Sequence, residues 1–180
     1  MADVPVFYDC EASGLEGFPI EIGWAFLDEK AGIIRSEGHL IRPQEAWDIE
    51  TRWDLDAEKL HGITPAYLAS HGEEPQAIAS RMNSALADRD LYSDSLLDEV
   101  WLRMLFEESN ADPAFTIWRT DARVIIAKAW RARGLSDDQW VAAQDNADRL
   151  APRTHRAADD ARNLAMRWLI ASGRSPGRSD

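Results

Sequence analysis

The chain has 180 residues, 45% of them hydrophobic and 29% charged, and its 32 acidic against 20 basic side chains leave a net charge of −12. That length suits one domain around one core, and the acidic balance argues against a protein that grips nucleic acid through a broad basic surface. No apolar run reaches the roughly 20 residues of a membrane span, Met1 to Pro5 carry no basic or apolar leader, and the single cysteine, Cys10, excludes an internal disulfide and a thiolate zinc site, so a cytoplasmic protein without membrane attachment is expected.

The first element is Val6-Phe7-Tyr8-Asp9-Cys10-Glu11, an apolar strand that ends in two acids spaced i, i+2 and runs into the turn Ala12-Ser13-Gly14. Alternate side chains of a strand share a face, so Asp9 and Glu11 stand side by side while Cys10 points into the core. From Pro19 to Asp28, Ile20, Ile22, Trp24 and Phe26 alternate with Glu21, Gly23 and Ala25, a strand with one well-buried face. Ile33 to Ile41 is the third strand, stopped by Arg42-Pro43, and short connections make the three an antiparallel meander. Gln44 to Asp56 reads as irregular, anchored by Trp47 and Trp53.

Thr64-Pro65 opens a helix, a capping hydroxyl before proline at the first helical position. Pro75 opens another, with Ile78, Met82, Ala85 and Leu86 at helical spacing. Asp90 to Asp94 is a short strand with a polar end. Leu96 to Glu108 is a helix whose stripe is Leu97, Val100, Trp101, Met104 and Leu105. Phe115 to Trp118 is a further strand, and Asp121 to Arg133 a helix closed by Gly134. Ser136 caps another helical stretch before Pro152. The last helix runs from about Arg156 to Ala171 on Ala161, Leu164, Ala165, Trp168 and Leu169. Three strands followed by helices alternating with two short strands define an α/β fold with a mixed five-stranded sheet flanked by helices. Residues 1–172 form a single domain, and the Ser/Gly/Pro/Arg-rich tail 173–180 is expected to be disordered.

Three acidic places, far apart in sequence, carry the chemistry. Asp9 and Glu11 repel each other unless a cation lies between them, and a hard divalent ion such as Mg²⁺ or Mn²⁺ prefers such oxygens. Asp98 falls in the first turn of its helix, where the helix dipole alone would favour an acid. Asp160 lies between Ala157, Ala161 and Leu164 near a packed face and needs compensation. His155 precedes that helix. Converging, the four carboxylates and one histidine make up a two-metal phosphoryl-transfer site, with the ions about 3.5–4 Å apart and the histidine able to take a proton from water near neutral pH.

These residues resemble the DEDDh 3′→5′ exonucleases, the group of ribonuclease T and the DNA polymerase proofreading subunit, which have a ribonuclease H-like fold. Phe7 to Leu15 is similar to their first motif, D-x-E-[TA]-[TS]-G-L after an apolar strand. Pro19 to Gly23 is similar to the following strand, Leu60 to Thr64 to an H-G-I-T segment, and His155 with Asp160 to the H-x4-D third motif. The second motif departs: the family's Asn and Phe, four and one residues before its Asp, are Asp94 and Leu97 here, and Asp98 is taken as the metal ligand.

The resemblance implies an exonuclease domain with two ions, Mg²⁺ or Mn²⁺, that releases nucleoside 5′-monophosphates from single-stranded RNA or DNA 3′ ends. It implies that Asp9 bridges both ions, Glu11 and Asp160 complete one site, Asp98 serves the second, and His155 is the general base. The backbone of Ala12, Ser13, Gly14 and Leu15 would meet the terminal nucleotide, Leu15 would pack on its base, and His61 to Thr64 would border the strand. Phe18 and Trp47 are further candidates to stack on bases. The eight tryptophans permit a homodimer interface without requiring one. The competing reading is a nucleotide- or nucleic-acid-binding module on the same fold with little or no turnover.

Overall fold

Strand β1 (Val6–Ala12) divides its side chains between two layers. Val6, Tyr8, Cys10 and Ala12 enter one apolar cluster and Phe7 another, which leaves Asp9 and Glu11 on the Phe7 side. The computed structural model describes residues 4–174; the expected disordered tail lies, beyond Arg174, outside the described residues. Strands β2 (Pro19–Asp28) and β3 (Ile33–Leu40) complete the antiparallel meander. Strands β4 (Asp90–Tyr92) and β5 (Thr116–Ile117) add in parallel on the other side of β1. The order is β3-β2-β1-β4-β5, the mixed five-stranded sheet read from the sequence.

Seven helices are described: α1 (Leu55–His61), α2 (Pro65–His71), α3 (Pro75–Leu86), α4 (Leu96–Glu108), α5 (Ala122–Arg131), α6 (Asp137–Leu150) and α7 (Ala157–Ser172). Helices α3 and α4 cover the Tyr8 face of the sheet, and α5 and α7 cover the Phe7 face. The five residues expected to line α7 are all buried. No helix among the described residues is long and apolar enough to cross a membrane.

Five sequence expectations need correction. Strand β2 has two buried faces, because α7 lies on the one that carries Glu21, Gly23 and Ala25. A Cβ built on Gly23 would fall 2.2 Å from the Ala158 nitrogen and 2.3 Å from the Ala157 carbonyl carbon, so only glycine admits α7 this close to the sheet. Residues 55–61 are helical. Asp54 caps α1 by accepting from the Asp56 N–H at 2.8 Å, acids fill its first turn, and Gly62 ends it at φ +69°.

The buried stripe of α4 is Asp98, Trp101, Leu102, Leu105 and Phe106, one residue round from the expected one, with Leu97 and Val100 exposed. In α3, Ala79 is buried in place of Ala85. Helix α5 ends at Arg131, and Gly134 (φ +65°) closes the turn that follows it.

Candidate active site

The carboxyl ends of the parallel strands β1 and β4 and the first turns of α4 and α7 meet at one end of the sheet, where open α/β sheets generally bind ligands. Asp9 pairs in register with Gly23, and Glu11 with Glu21. Because Gly23 lets α7 settle on β2 directly opposite Asp9, Asp160 in its first turn is brought to the two β1 acids. Cys10, on the opposite face of β1 from those acids, ties the strand to α4: its thiol donates to the Asp98 carbonyl oxygen at 3.7 Å.

The sequence-predicted acids therefore converge, in two groups. Glu11, His155 and Asp160 each offer a donor atom within 4.8 Å of the others, and so do Asp9, Asp94 and Asp98. Asp9, Asp98 and Asp160 are 8%, 2% and 5% exposed. Oδ2 of Asp98 is buried and has no hydrogen-bond partner among the described residues. A carboxylate oxygen so placed is destabilising unless something cationic reaches it. An oxygen-rich donor set with one imidazole suits a hard divalent cation such as Mg²⁺ or Mn²⁺, and the residues fit such ions at both groups.

The electrostatics without a cation are those of crowded, desolvated acids. Burial, then Asp98 and the other acids around it, raises the Asp9 carboxyl well above its ordinary range. Burial followed by Asp160 and Glu21 pushes Glu11 up to about 7, and burial followed by Asp94 pushes Asp98 up to about 8. Titratable groups displaced this far, gathered at the end of a strand, mark a candidate functional site.

Two arginines frame the acids. Arg156 makes a forked ion pair with Glu21 (Nη2 to Oε1 2.6 Å, Nε to Oε2 3.0 Å), and Glu21 also accepts the Ala157 N–H at 3.0 Å. This clamp fixes the start of α7 to β2. Arg153 donates from Nη2 to Asp94 Oδ2 at 3.0 Å, and its Nε lies 3.7 Å from Asp160 Oδ2. The remaining oxygen of Asp160, Oδ1, accepts the Thr154 N–H at 2.9 Å, folding the 152–156 loop over the helix start. His155 stands exposed on that loop at φ +55°, a left-handed conformation unusual for a side-chain-bearing residue.

Beside Glu11 and His155 opens a cavity of about 350 Å³ whose wall includes Ala12, Gly14, Leu15, Leu60, His61 and Trp101. Leu15 is 75% exposed at its mouth. Ser13 lies behind the wall, fully buried, its hydroxyl donating to the Arg52 carbonyl oxygen and accepting the Phe18 N–H, both at 3.0 Å. His61 accepts the Ile63 N–H on Nδ1 at 3.0 Å, which puts its own proton on Nε2, and burial lowers its pKa. A second cavity, of about 480 Å³, opens on the far side of Asp94 between Tyr8, Trp118 and Arg119. Phe18 and Trp47 stack on each other, with centroids 5.0 Å apart, and Trp47 is part of the core.

Sequence reasoning misses Glu21, Arg153 and Arg156 as site residues; it chooses Asp98 over Asp94 as the second-motif ligand, whereas the structure places Asp94 in one group with Asp9 and Asp98. Glu21, on the face of β2 read as the less buried one, carried no signal beyond that of a solvated strand acid. The arginines carried none, since each sits in a loop or at a helix end where a solvated cation is ordinary.

No protein-family model matches the chain, and no curated protein matches it in sequence. Among solved structures it is similar to E. coli exonuclease I. The complex with a dA16 oligonucleotide matches at a TM-score of 0.63 and 18% identity, over 93% of this chain and 40% of that one. The complex with a dT13 oligonucleotide matches at 0.62 and 20% identity, over 93% and 41%. A zinc-ion-bound form of the complex with single-stranded DNA matches at 0.61 and 18% identity, over 94% and 40%. The chain therefore has the ribonuclease H-like α/β fold of exonuclease I, and it spans about 40% of that protein's length.

Proposed function

We propose that this chain is a metal-dependent 3′→5′ exonuclease of the DEDDh type, removing nucleoside 5′-monophosphates from single-stranded nucleic-acid ends. The observation that carries the reading is the convergence of Asp9, Glu11, Asp98 and Asp160 with His155, the orphaned Asp98 oxygen among them. Further support comes from the shared fold with exonuclease I, whose structures include complexes with single-stranded DNA. DNA is accordingly the first substrate to test, with RNA beside it.

In this reading Asp9, Glu11, Asp98 and Asp160 hold two divalent ions, Mg²⁺ or Mn²⁺. Bound ions supply Lewis acidity and charge neutralisation for phosphodiester hydrolysis. His155, exposed on its loop next to Glu11 and Asp160, takes the proton of the attacking water on a ring nitrogen. The terminal nucleoside enters the 350 Å³ cavity, within the size range of small-molecule sites. There the Ala12–Leu15 backbone and the His61 wall orient it, and the exposed Leu15 side chain packs on its base. The buried Ser13 hydroxyl holds the turn that presents this backbone.

The test is product identity. Purified protein with a single-stranded DNA oligomer and Mn²⁺ is expected to yield nucleoside 5′-monophosphates on chromatography, and a folded Asp9→Ala variant none. Nucleotide binding without turnover in Mn²⁺ would replace this reading with that of a binding module.

A further inference from the structure

Arg153 is unlike the other cations around the site, because its guanidinium reaches into both acidic groups at once. Nη2 bonds Asp94 Oδ2 at 3.0 Å, on the Asp9/Asp94/Asp98 side, and Nε stands 3.7 Å from Asp160 Oδ2, on the Glu11/His155/Asp160 side. Arg156, three residues on, is occupied elsewhere by Glu21. Asp94 is a fifth carboxylate at the site, mostly buried with 15% of its side chain exposed.

The charges then balance in a specific way. With all five acids ionised, as ligation of ions requires, Asp9, Glu11, Asp94, Asp98 and Asp160 carry five negative charges, of which two divalent ions cancel four and one guanidinium the fifth. Without ions the same guanidinium is, among the described residues, the positive group that bonds between the two carboxylate clusters, held there by the attraction a cation would feel.

We propose that Arg153 is a positioning residue that acts as the site's internal counter-ion: it bridges Asp94 and Asp160 in the ion-free protein, and yields Asp160 to a divalent ion while keeping Asp94. This inference rests on the two-ion reading above and adds to it that the chain sets its own ion affinity. An ion arriving near Asp160 displaces a cation already there, and binds a site one charge less negative than its carboxylates alone would make it. Affinity is therefore held below what five acids would give.

The experiment titrates Mn²⁺ calorimetrically into the full chain and records Tm in EDTA and in saturating Mn²⁺. It compares the wild type with Arg153→Ala, Arg153→Gln and Arg153→Lys. Removing the charge is expected to tighten Mn²⁺ binding about tenfold, within the usual range for coupling between charged sites. It also lowers Tm in EDTA, where the acids lose their counter-ion, so the rise in Tm on adding Mn²⁺ grows. Arg153→Lys, which keeps the charge but not the two-armed guanidinium, falls between wild type and the neutral variants.

A packing role alone would shift Tm equally in EDTA and Mn²⁺ and leave affinity where it was. If the wild type binds Mn²⁺ and both neutral variants bind it no more tightly, the counter-ion role is overturned while the proposed function stands. If the folded wild type takes up no Mn²⁺, both are overturned together.

Discussion

Gly23→Ala is the substitution whose effect follows most directly from the geometry. The new methyl would lie 2.2 Å from the Ala158 nitrogen and 2.3 Å from the Ala157 carbonyl carbon, both backbone atoms of the α7 start. Ordinary contact begins near 3.4 Å, so the helix start must retreat by about 1.2 Å, the shortfall between the two distances. No flexible side chain can absorb this, and overpacking of that kind costs about 1–3 kcal/mol. The retreat carries Asp160 and His155 away from Asp9, the register partner of Gly23. A displacement of about 1 Å at a catalytic constellation lowers rate by about a hundredfold. Urea denaturation, Mn²⁺ titration and initial rates on a single-stranded oligomer, all on the same variant, separate the two effects. A Gly23→Ala protein with wild-type stability and wild-type Mn²⁺ affinity would refute the claim that this glycine seats α7 on the site.

Three other outcomes are expected. Asp98→Asn replaces the buried, unpartnered carboxylate oxygen with an uncharged amide and removes one negative charge from the crowded acids, so in EDTA at pH 8 it should stabilise the protein by roughly 1–3 kcal/mol in urea denaturation while weakening Mn²⁺ binding; destabilisation in EDTA would contradict the crowding described here. The raised pKa values of Glu11 (about 7) and Asp98 (about 8) mean that the ion-free native state binds more protons than the unfolded chain between their ordinary range near 4 and those values. Its stability should accordingly fall as pH rises from about 4 to 8, and saturating Mn²⁺ should remove that slope in thermal melts across the window. Arg156→Ala strands Glu21, whose side chain is 4% exposed, but 40% of the arginine is already in water. The loss should be about 2–3 kcal/mol, below the 3–5 kcal/mol of a fully buried pair, and Glu21→Gln in the same chain should restore part of it.

Much of the architecture was legible in local chemistry. The i, i+2 placement of Asp9 and Glu11, the alternation along β2, the Thr64-Pro65 start and the α7 stripe each declare one element, and none depends on distant contacts. What escaped depended on partners far along the chain. Glu21 reads as a solvent-facing strand residue until α7, 135 positions on, covers it and Arg156 claims it. The α4 stripe could be drawn through Leu97 or through Asp98, since both sets recur at three and four residues. Apolarity favoured the first, whereas the site needs the second, which buries an acid at the head of the helix. The α1 helix was missed although Asp54, the first-turn acids and Gly62 all signal it, because its exposed Leu55 and Leu60 give no inward stripe. Of the candidate site, the acids and His155 could be named from sequence; the arginine between them could not, because a cation in a Pro-Arg-Thr loop carries no mark of what it faces.

The central claim is best tested by a time course on matched 5′-labelled single-stranded DNA and RNA oligomers, with Mn²⁺, Mg²⁺ or EDTA, alongside Asp9→Ala. The account predicts a ladder that shortens from the 3′ end only when the metal is present and Asp9 intact. A folded wild-type protein that binds Mn²⁺ but leaves both oligomers whole, or cleavage that persists in EDTA or in Asp9→Ala, would contradict it.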